Sequence, residues 1–396
     1  MLDCSRVLAG PFATMLLADL GADVIKLEPP QGDDTRAWGP PFWGERGDRR
    51  SAYFASVNRN KRSIVVDLKT DAGREVFDRL ASRSDLLIHN FRPRTLRRLG
   101  LDPERLKGAH PHLIVAGIGG FPGDEMARNR AAYDLLAQAV SGLMSVTGDP
   151  KGAPIRVGVA VLDLLTGLEL AVGALAALIG RNSARSHHRV DVSLVEVGVT
   201  SLVNVLANYL ASGRDPARYG NAHPNIAPYQ AFQARDGYIA LAVGNDDQFA
   251  CLLETLGLVD DQARFRTNAD RVRSRDELAA WLGSAIVTWD RDDLVEALIA
   301  KDVPAGSVLS VAEAVSSMQS AYDGSWLQEA GTQLVAPSPL LVDGERTLVH
   351  REPPALGEHT DEILREAGVD DGAIRRLRDQ GIVGSPTERR EALEPS

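Results

Sequence analysis

Residues 63–91 read SIVVDLKTDAGREVFDRLASRSDLLIHNF, and the order of patterns in this stretch decides the fold class. Ser63–Leu68 is an apolar, β-branched run. Asp71–Arg83 carries its apolar residues at helical spacing, and Asp85–Phe91 is a second apolar run. A strand, a helix and a strand in that order form a right-handed βαβ unit with the two strands parallel in one sheet. The alternation continues on both sides. Upstream, Ala9–Leu20 has helical spacing and precedes a short strand, Asp23–Leu27; downstream, Leu113–Ile118 is a further strand. The expected fold is α/β, with a large Rossmann-like domain around a mostly parallel sheet.

Farther out the pattern changes. Pro29–Asn58 is irregular, with prolines at 29, 30, 40 and 41 and with Trp38, Phe42, Trp43, Tyr53 and Phe54. Long structureless loops are uncommon. The aromatics favour an ordered loop packed on a substrate or a partner subunit, and a surface insertion is the competing reading. Leu164–Ile179 is apolar on nearly all sides, as a core or interface helix is. Arg189–Glu196 is a short alternating run, and Val197–Ala211 reads as one helix. Asp236-Gly237, between Pro228–Gln233 and Tyr238–Val243, signals a hairpin, and helical patterns follow at Gln248–Leu256, Arg275–Val287 and Arg291–Ala300. The expected organisation is a large domain built from both chain ends, 1–200 and 325–396, with a smaller α+β domain, 222–305, inserted between linkers 201–221 and 306–324. After Val308 come a helix, short strands near Leu340 and Leu348, and a last helix from Thr360; the polar tail from Ser385 reads as frayed.

Composition narrows the function. In 396 residues, 44 basic side chains against 54 acidic ones leave a net charge of −10, which argues against a nucleic-acid or membrane-surface binder but not against a local basic pocket. Two cysteines, Cys4 and Cys251, make no disulfide framework and fit a reducing compartment. The first residues show no secretory signal, and the longest apolar stretch falls short of the roughly 20 residues of a membrane span, so a cytoplasmic protein is expected. The eight histidines are scattered, giving metal catalysis no support. The glycine cluster Gly117–Gly123 fails GxGxxG because Pro122 stands where the third glycine belongs. It reads as a turn after a strand, in the kind of loop that lines ligand crevices in α/β folds.

Two basic clusters stand out: Asn60-Lys61-Arg62 with Lys69, and Arg92, Arg94, Arg97 and Arg98. Cations beyond strand ends are placed to hold phosphates; a solvated helix face is the alternative. Asp163 sits between the run VGVAVL and an apolar helix. It can be a helix N-cap. It can equally be a nucleophile, since a helix N-terminus favours the carboxylate and an apolar setting keeps water from an acyl intermediate.

Taken together, Ser5–Pro11, Leu20–Glu28, Asn60–Ser63 through Asp67–Lys69, His89–Pro93, Tyr133–Gln138, Asp163–Gly167, His223–Phe232 and Leu356–Leu364 resemble, in order, the class III (family III) CoA-transferases, the superfamily of formyl-CoA transferase and α-methylacyl-CoA racemase. The resemblance implies that Asp163 is the catalytic aspartate, that Leu8 and Ala9 lie beside the CoA adenosine, and that Val66, Asp67, Leu68, Lys69, Asn90, Phe91 and Arg98 line the CoA site. It places Tyr133 near the thioester. Pro29 stands where the family has a basic residue, and Gly244–Gln248 holds one glycine where the family has a glycine-rich loop. Several residues usually precede LDCSRVLAG in the family, so a clipped first strand is expected. Also implied are an interlocked homodimer, acyl-CoA and a small carboxylic acid as substrates, and no permanently bound cofactor. The implied reaction passes through an anhydride and an aspartyl-CoA thioester on Asp163. It needs amide donors for the oxyanions, which Gly117–Gly123 and the helix start at 164 can supply. Asn221–Leu256 most resembles transferases of dicarboxylates such as succinate. Arg214, Arg218 and His223 are then candidates for a second carboxylate, or linker surface. Two alternatives remain. A racemase needs an acid and a base across one carbon; the racemases carry a His-Asp pair where this chain has Tyr133-Asp134, and tyrosine is a poor base at neutral pH. A non-catalytic CoA-binding paralogue would not need Asp163.

Overall fold

Six strands lie side by side, every neighbouring pair parallel: β1 Leu2–Asp3, β2 Val24–Glu28, β3 Lys61–Val65, β4 Leu86–His89, β5 Ile114–Gly119 and β6 Arg189–Ser193. Their order across the sheet is β3-β2-β1-β4-β5-β6. This computed structural model describes residues 1–44, 50–181, 187–331 and 333–384; the tail expected to fray from Ser385 lies outside them. The inner strands β4 and β5 are buried on both faces, which is why they read as continuous apolar runs, whereas edge strand β6 alternates; the other edge strand, β3, is buried along its whole length. Helices α1 Ala9–Asp19 and α2 Asp71–Ala81 connect the first strands, and α3 Pro93–Leu99 follows β4. Thr70 caps α2 by accepting from the Gly73 amide, and Val76, Phe77 and Leu80 face the core.

The chain divides into two compact units. One comprises Met1–Ser141, Gly158–Ser201 and Tyr322–Ser396; the other comprises Gly142–Val157 and Leu202–Ala321. The first holds the six-stranded sheet. The second holds an antiparallel hairpin, Tyr229–Gln233 with Tyr238–Ala242, and a third strand, Ala305–Ser307, that pairs with Tyr238–Ala242. Phe249, Leu252, Leu278, Leu282, Leu294 and Leu298 form its core. Gly142–Val157 joins this unit through a Gly148–Gly220 bridge and through Arg218, which donates to the carbonyls of Ser145, Asp149 and Gly152.

Several boundaries differ from the sequence reading, each for a physical reason. Strand β3 starts at Lys61 and stops at Val65 rather than running from Ser63 to Leu68. Lys61 and Arg62 look like surface residues, yet ion pairs to Asp3 and to Asp23, Glu362 and Glu366 bury them. The stretch Pro29–Asn58 is not structureless. It contains a helical turn at Asp34–Ala37, the paired strands Phe42–Trp43 and Arg50–Ser51, and a turn of helix at Ala52–Ala55. Arg36 ties it down, bridging Glu28 and lying 3.8 Å over the Phe54 ring. The pattern Val197–Ala211 is two helices, Leu194–Thr200 and Val203–Ser212, broken where one unit gives way to the other. The apolar helix is longer than expected: Val161–Gly180, 20 residues, long and apolar enough to cross a membrane. Here it packs on α1 and on strands β5 and β6 with Leu162, Thr166, Leu170, Ala171, Ala174 and Ala177 buried.

Candidate active site

The carboxyl ends of the parallel strands open into one cavity of about 890 Å³ within the first unit. Arg6–Ala9 line it after β1, Val66–Lys69 after β3, Asn90–Pro93 after β4, and Gly120–Gly123 after β5. This is where an open α/β sheet holds its ligand. Leu8, Ala9, Val66, Asp67, Leu68, Lys69, Asn90, Phe91, Arg98, Tyr133 and Asp163 all line it, so the residues singled out from sequence converge on one space.

The two basic clusters divide. Lys69, Arg92 and Arg98 reach the cavity. Lys61 and Arg62 are structural ion-pair partners instead, and Arg97 pairs with Glu125. Four cations not foreseen in the sequence, Arg6, Arg128, Arg130 and Arg189, add to the lining.

Helix Val161–Gly180 (here α5) presents Asp163 in its first turn. Asp163 is not the N-cap: that position is Ala160, which offers no side-chain bond. The cap comes from α4, Asp134–Val140. Asp134 Oδ1 accepts from the amides of Leu162 (2.9 Å) and Asp163 (3.3 Å), while its Oδ2 accepts from Gln138 Nε2 (2.5 Å). Burial, and then the charge of Asp134, push the Asp163 carboxyl up to about 7. The start of α5 therefore has no spare amides. Those of Leu162 and Asp163 serve Asp134, and that of Leu164 bonds Ala160.

Free amides lie at α1 instead. Its N-cap, Leu8, has no side-chain bond, and the Ala9 and Gly10 amides have no acceptor among the described residues. Helix α1 packs tightly on α5: a Cβ at Gly167 would lie 2.6 Å from the Ala9 carbonyl oxygen. Asp163 is one turn earlier on the same face of α5, so the open end of α1 and the Asp163 carboxyl share one corner.

A buried network fixes that corner. Asn90 clamps Arg6, accepting from its amide (3.0 Å) and donating to its carbonyl (2.6 Å). Lys26 Nζ donates to the Ser5 carbonyl and to Asp33, and Asp33 in turn accepts from the Val7 amide. These bonds hold Val7 at φ +71°, a costly conformation for a β-branched residue. Against the cost of burial, Lys61 and Lys26 hold the Asp3 carboxyl below its ordinary range. On the cavity wall, burial pushes the His89 imidazole down to about 4, keeping it neutral.

The family profile described as CoA-transferase family III matches residues 1–360. The chain belongs to that family. It is 40% identical over 375 residues to a succinate–glutarate CoA-transferase of Agrobacterium fabrum, covering 92% of this chain and 94% of the relative. It is 39% identical to human succinyl-CoA:glutarate CoA-transferase, covering 97% and 88%. A CAIB/BAIF family protein from Brucella suis matches with a TM-score of 0.82 at 41% identity, covering 92% of this chain and 97% of that one. This family III CoA-transferase is thus an α/β enzyme that transfers CoA. Asp134 was not singled out as a site residue from sequence. Its only local mark is Gln138 four residues on, and its partners Leu162 and Asp163 are 28 and 29 positions away.

Proposed function

We propose that this CoA-transferase moves CoA between dicarboxylic acids of the succinate and glutarate size, with Asp163 as nucleophile. The observation that supports it most is Asp163 itself, on the wall of a cavity that gathers the positions expected to bind CoA. Its carboxylate attacks the donor thioester carbonyl, releasing CoA thiolate and leaving a mixed anhydride. The thiolate attacks the Asp163 carbonyl carbon, expelling the donor acid as its carboxylate and leaving an aspartyl-CoA thioester. The acceptor carboxylate attacks that thioester, forming a second anhydride and again freeing thiolate. The thiolate then takes the acceptor acyl group, and Asp163 returns as carboxylate. Each nucleophile attacks as an anion, Asp163 once its carboxyl has ionised at about 7, so no separate base is needed. The free Ala9 and Gly10 amides, at the Asp163 corner, suit the oxyanions. This puts Ala9 at the thioester end of CoA instead of the adenosine end that the resemblance implied. Lys69, Arg92 and Arg98 suit the CoA phosphates. The dicarboxylate preference rests on the names of the relatives. An interlocked homodimer and a cytoplasmic setting belong to the same reading; Cys4 and Cys251 are both free thiols.

Incubation with succinyl-CoA followed by peptide mass spectrometry tests the mechanism. A succinyl or CoA adduct on Asp163, absent from Asp163→Ala, is the expected result. An Asp163→Ala variant with full transfer activity overturns it. So does α-hydrogen exchange of an acyl-CoA in deuterated water without any acceptor acid, which would point to racemase chemistry.

A further inference from the structure

We propose that Arg130 determines acyl specificity by binding the distal carboxylate of the dicarboxylate substrate; this rests on the transferase reading above. Arg130 lines the same cavity as Asp163 and Tyr133. Its guanidinium lies 4.0 Å over the ring of Phe121, which is buried. The ring backs one face of the guanidinium and leaves its N–H edges free, the geometry that receives a planar carboxylate in two parallel hydrogen bonds. Of the other cavity arginines, Arg189 is committed to Asp191 and Arg6 to Asp34, whereas Arg128, also without a carboxylate partner among the described residues, is not stacked on the Phe121 ring. Arg130 has no carboxylate partner among the described residues.

Its position is built, not incidental. A Cβ on Gly120 would fall 2.2 Å from the Ala132 Cβ, so the segment before α4 is pressed against the loop after β5. That contact sets Arg130 on Phe121 and leads directly to Tyr133 and Asp134. Three residues of chain from Arg130 to Tyr133 span at most about 11 Å, and the Asp134 carboxylate touches the Asp163 amide.

Sheet order separates this cation from Lys69 but not from Arg92, which follows β4 and donates to the Asn129 carbonyl. Lys69 follows β3, four strand spacings from β5, or about 19 Å. CoA laid along the strand ends, with its phosphates toward Lys69, brings its acyl group to the β5 side, where Arg130 stands.

The test compares the unaltered enzyme with Arg130→Gln and Arg130→Lys. Losing one charge-assisted pair should raise KM for glutarate and succinate by roughly tenfold to a hundredfold. Turnover at saturation and KM for acetate or butyrate should stay within a few-fold, and Arg130→Lys should recover part of the loss. A rise in KM for every CoA thioester, acetyl-CoA included, overturns the proposal by making Arg130 a phosphate ligand. Unchanged dicarboxylate kinetics also overturn it. Calorimetry of succinyl-CoA and acetyl-CoA binding needs no turnover and keeps the two readings apart. If Arg130→Gln weakens binding of succinyl-CoA only, the inference stands even where the transfer mechanism fails. If both ligands bind both proteins alike, the inference falls while the mechanism survives.

Discussion

The Asp163 carboxyl holds its proton to a higher pH than an ordinary aspartate, and this has two measurable consequences. Its carboxyl titrates at about 7 because it is buried and faces Asp134. In the proposed mechanism the attacking form is the carboxylate, so kcat/KM should rise about tenfold per pH unit below 7 and level off above it, in a profile with a single acid limb. The same shift acts on stability. The unfolded carboxyl titrates near 3.8, so between that pH and about 7 the folded chain binds more protons than the unfolded one. Stability therefore falls as pH rises through this window. Asp163→Asn should melt higher than the unaltered protein at pH 8, with the gap closing toward pH 4 in thermal scans. A gap that stays constant with pH contradicts the burial argument. From sequence this residue was legible only as a choice between cap and nucleophile, because both uses favour an acid at a helix start. What removes the cap reading is Asp134, which takes the capping role from a remote segment that no local spacing reveals.

That capping makes α4 and α5 one functional element. Asp134 serves two amides of α5 and raises the titration of Asp163, so Asp134→Ala should do two things together. Losing the acceptor costs the cap, about 1 kcal/mol with a range up to about 2, read as a lower midpoint in urea. Losing the charge should move the acid limb of the activity profile below 7. A variant that loses stability but keeps the limb in place would show that Asp134 acts only as a cap. At this scale the sequence was most readable where burial is two-sided. The β3-α2-β4 unit was plain from apolar runs, and so was the Asp236-Gly237 hairpin from its turn chemistry. It was least readable where ion pairs bury charge, as at Lys61 and Arg62, or where a strand is as short and glycine-broken as Ala305–Ser307.

Over the whole molecule, composition conceals the site. A net charge of −10 gives no hint of a cavity lined by seven cations, Arg6, Lys69, Arg92, Arg98, Arg128, Arg130 and Arg189. The sum averages over a surface and says nothing about where the strand ends point. Composition likewise left the apolar helix ambiguous, and the fold divides its residues between two faces. The inner face of α5 is packed, whereas Leu168, Val172, Leu175 and Ile179, at spacings of four, three and four, remain exposed, Val172 at 66% and Ile179 at 85%. A stripe at that spacing is a helix-packing seam, and leaving it in water forgoes the burial of four large apolar side chains. A second copy of the chain covers it in the homodimer proposed above. Sedimentation equilibrium should then return twice the 42.6 kDa of one chain. Val172→Glu combined with Ile179→Glu should return a single chain that keeps its helical circular dichroism, because neither side chain belongs to the buried face. A double variant that still sediments as a dimer would place the subunit interface elsewhere, and an unaltered protein that sediments as a monomer would leave the stripe unexplained by self-association.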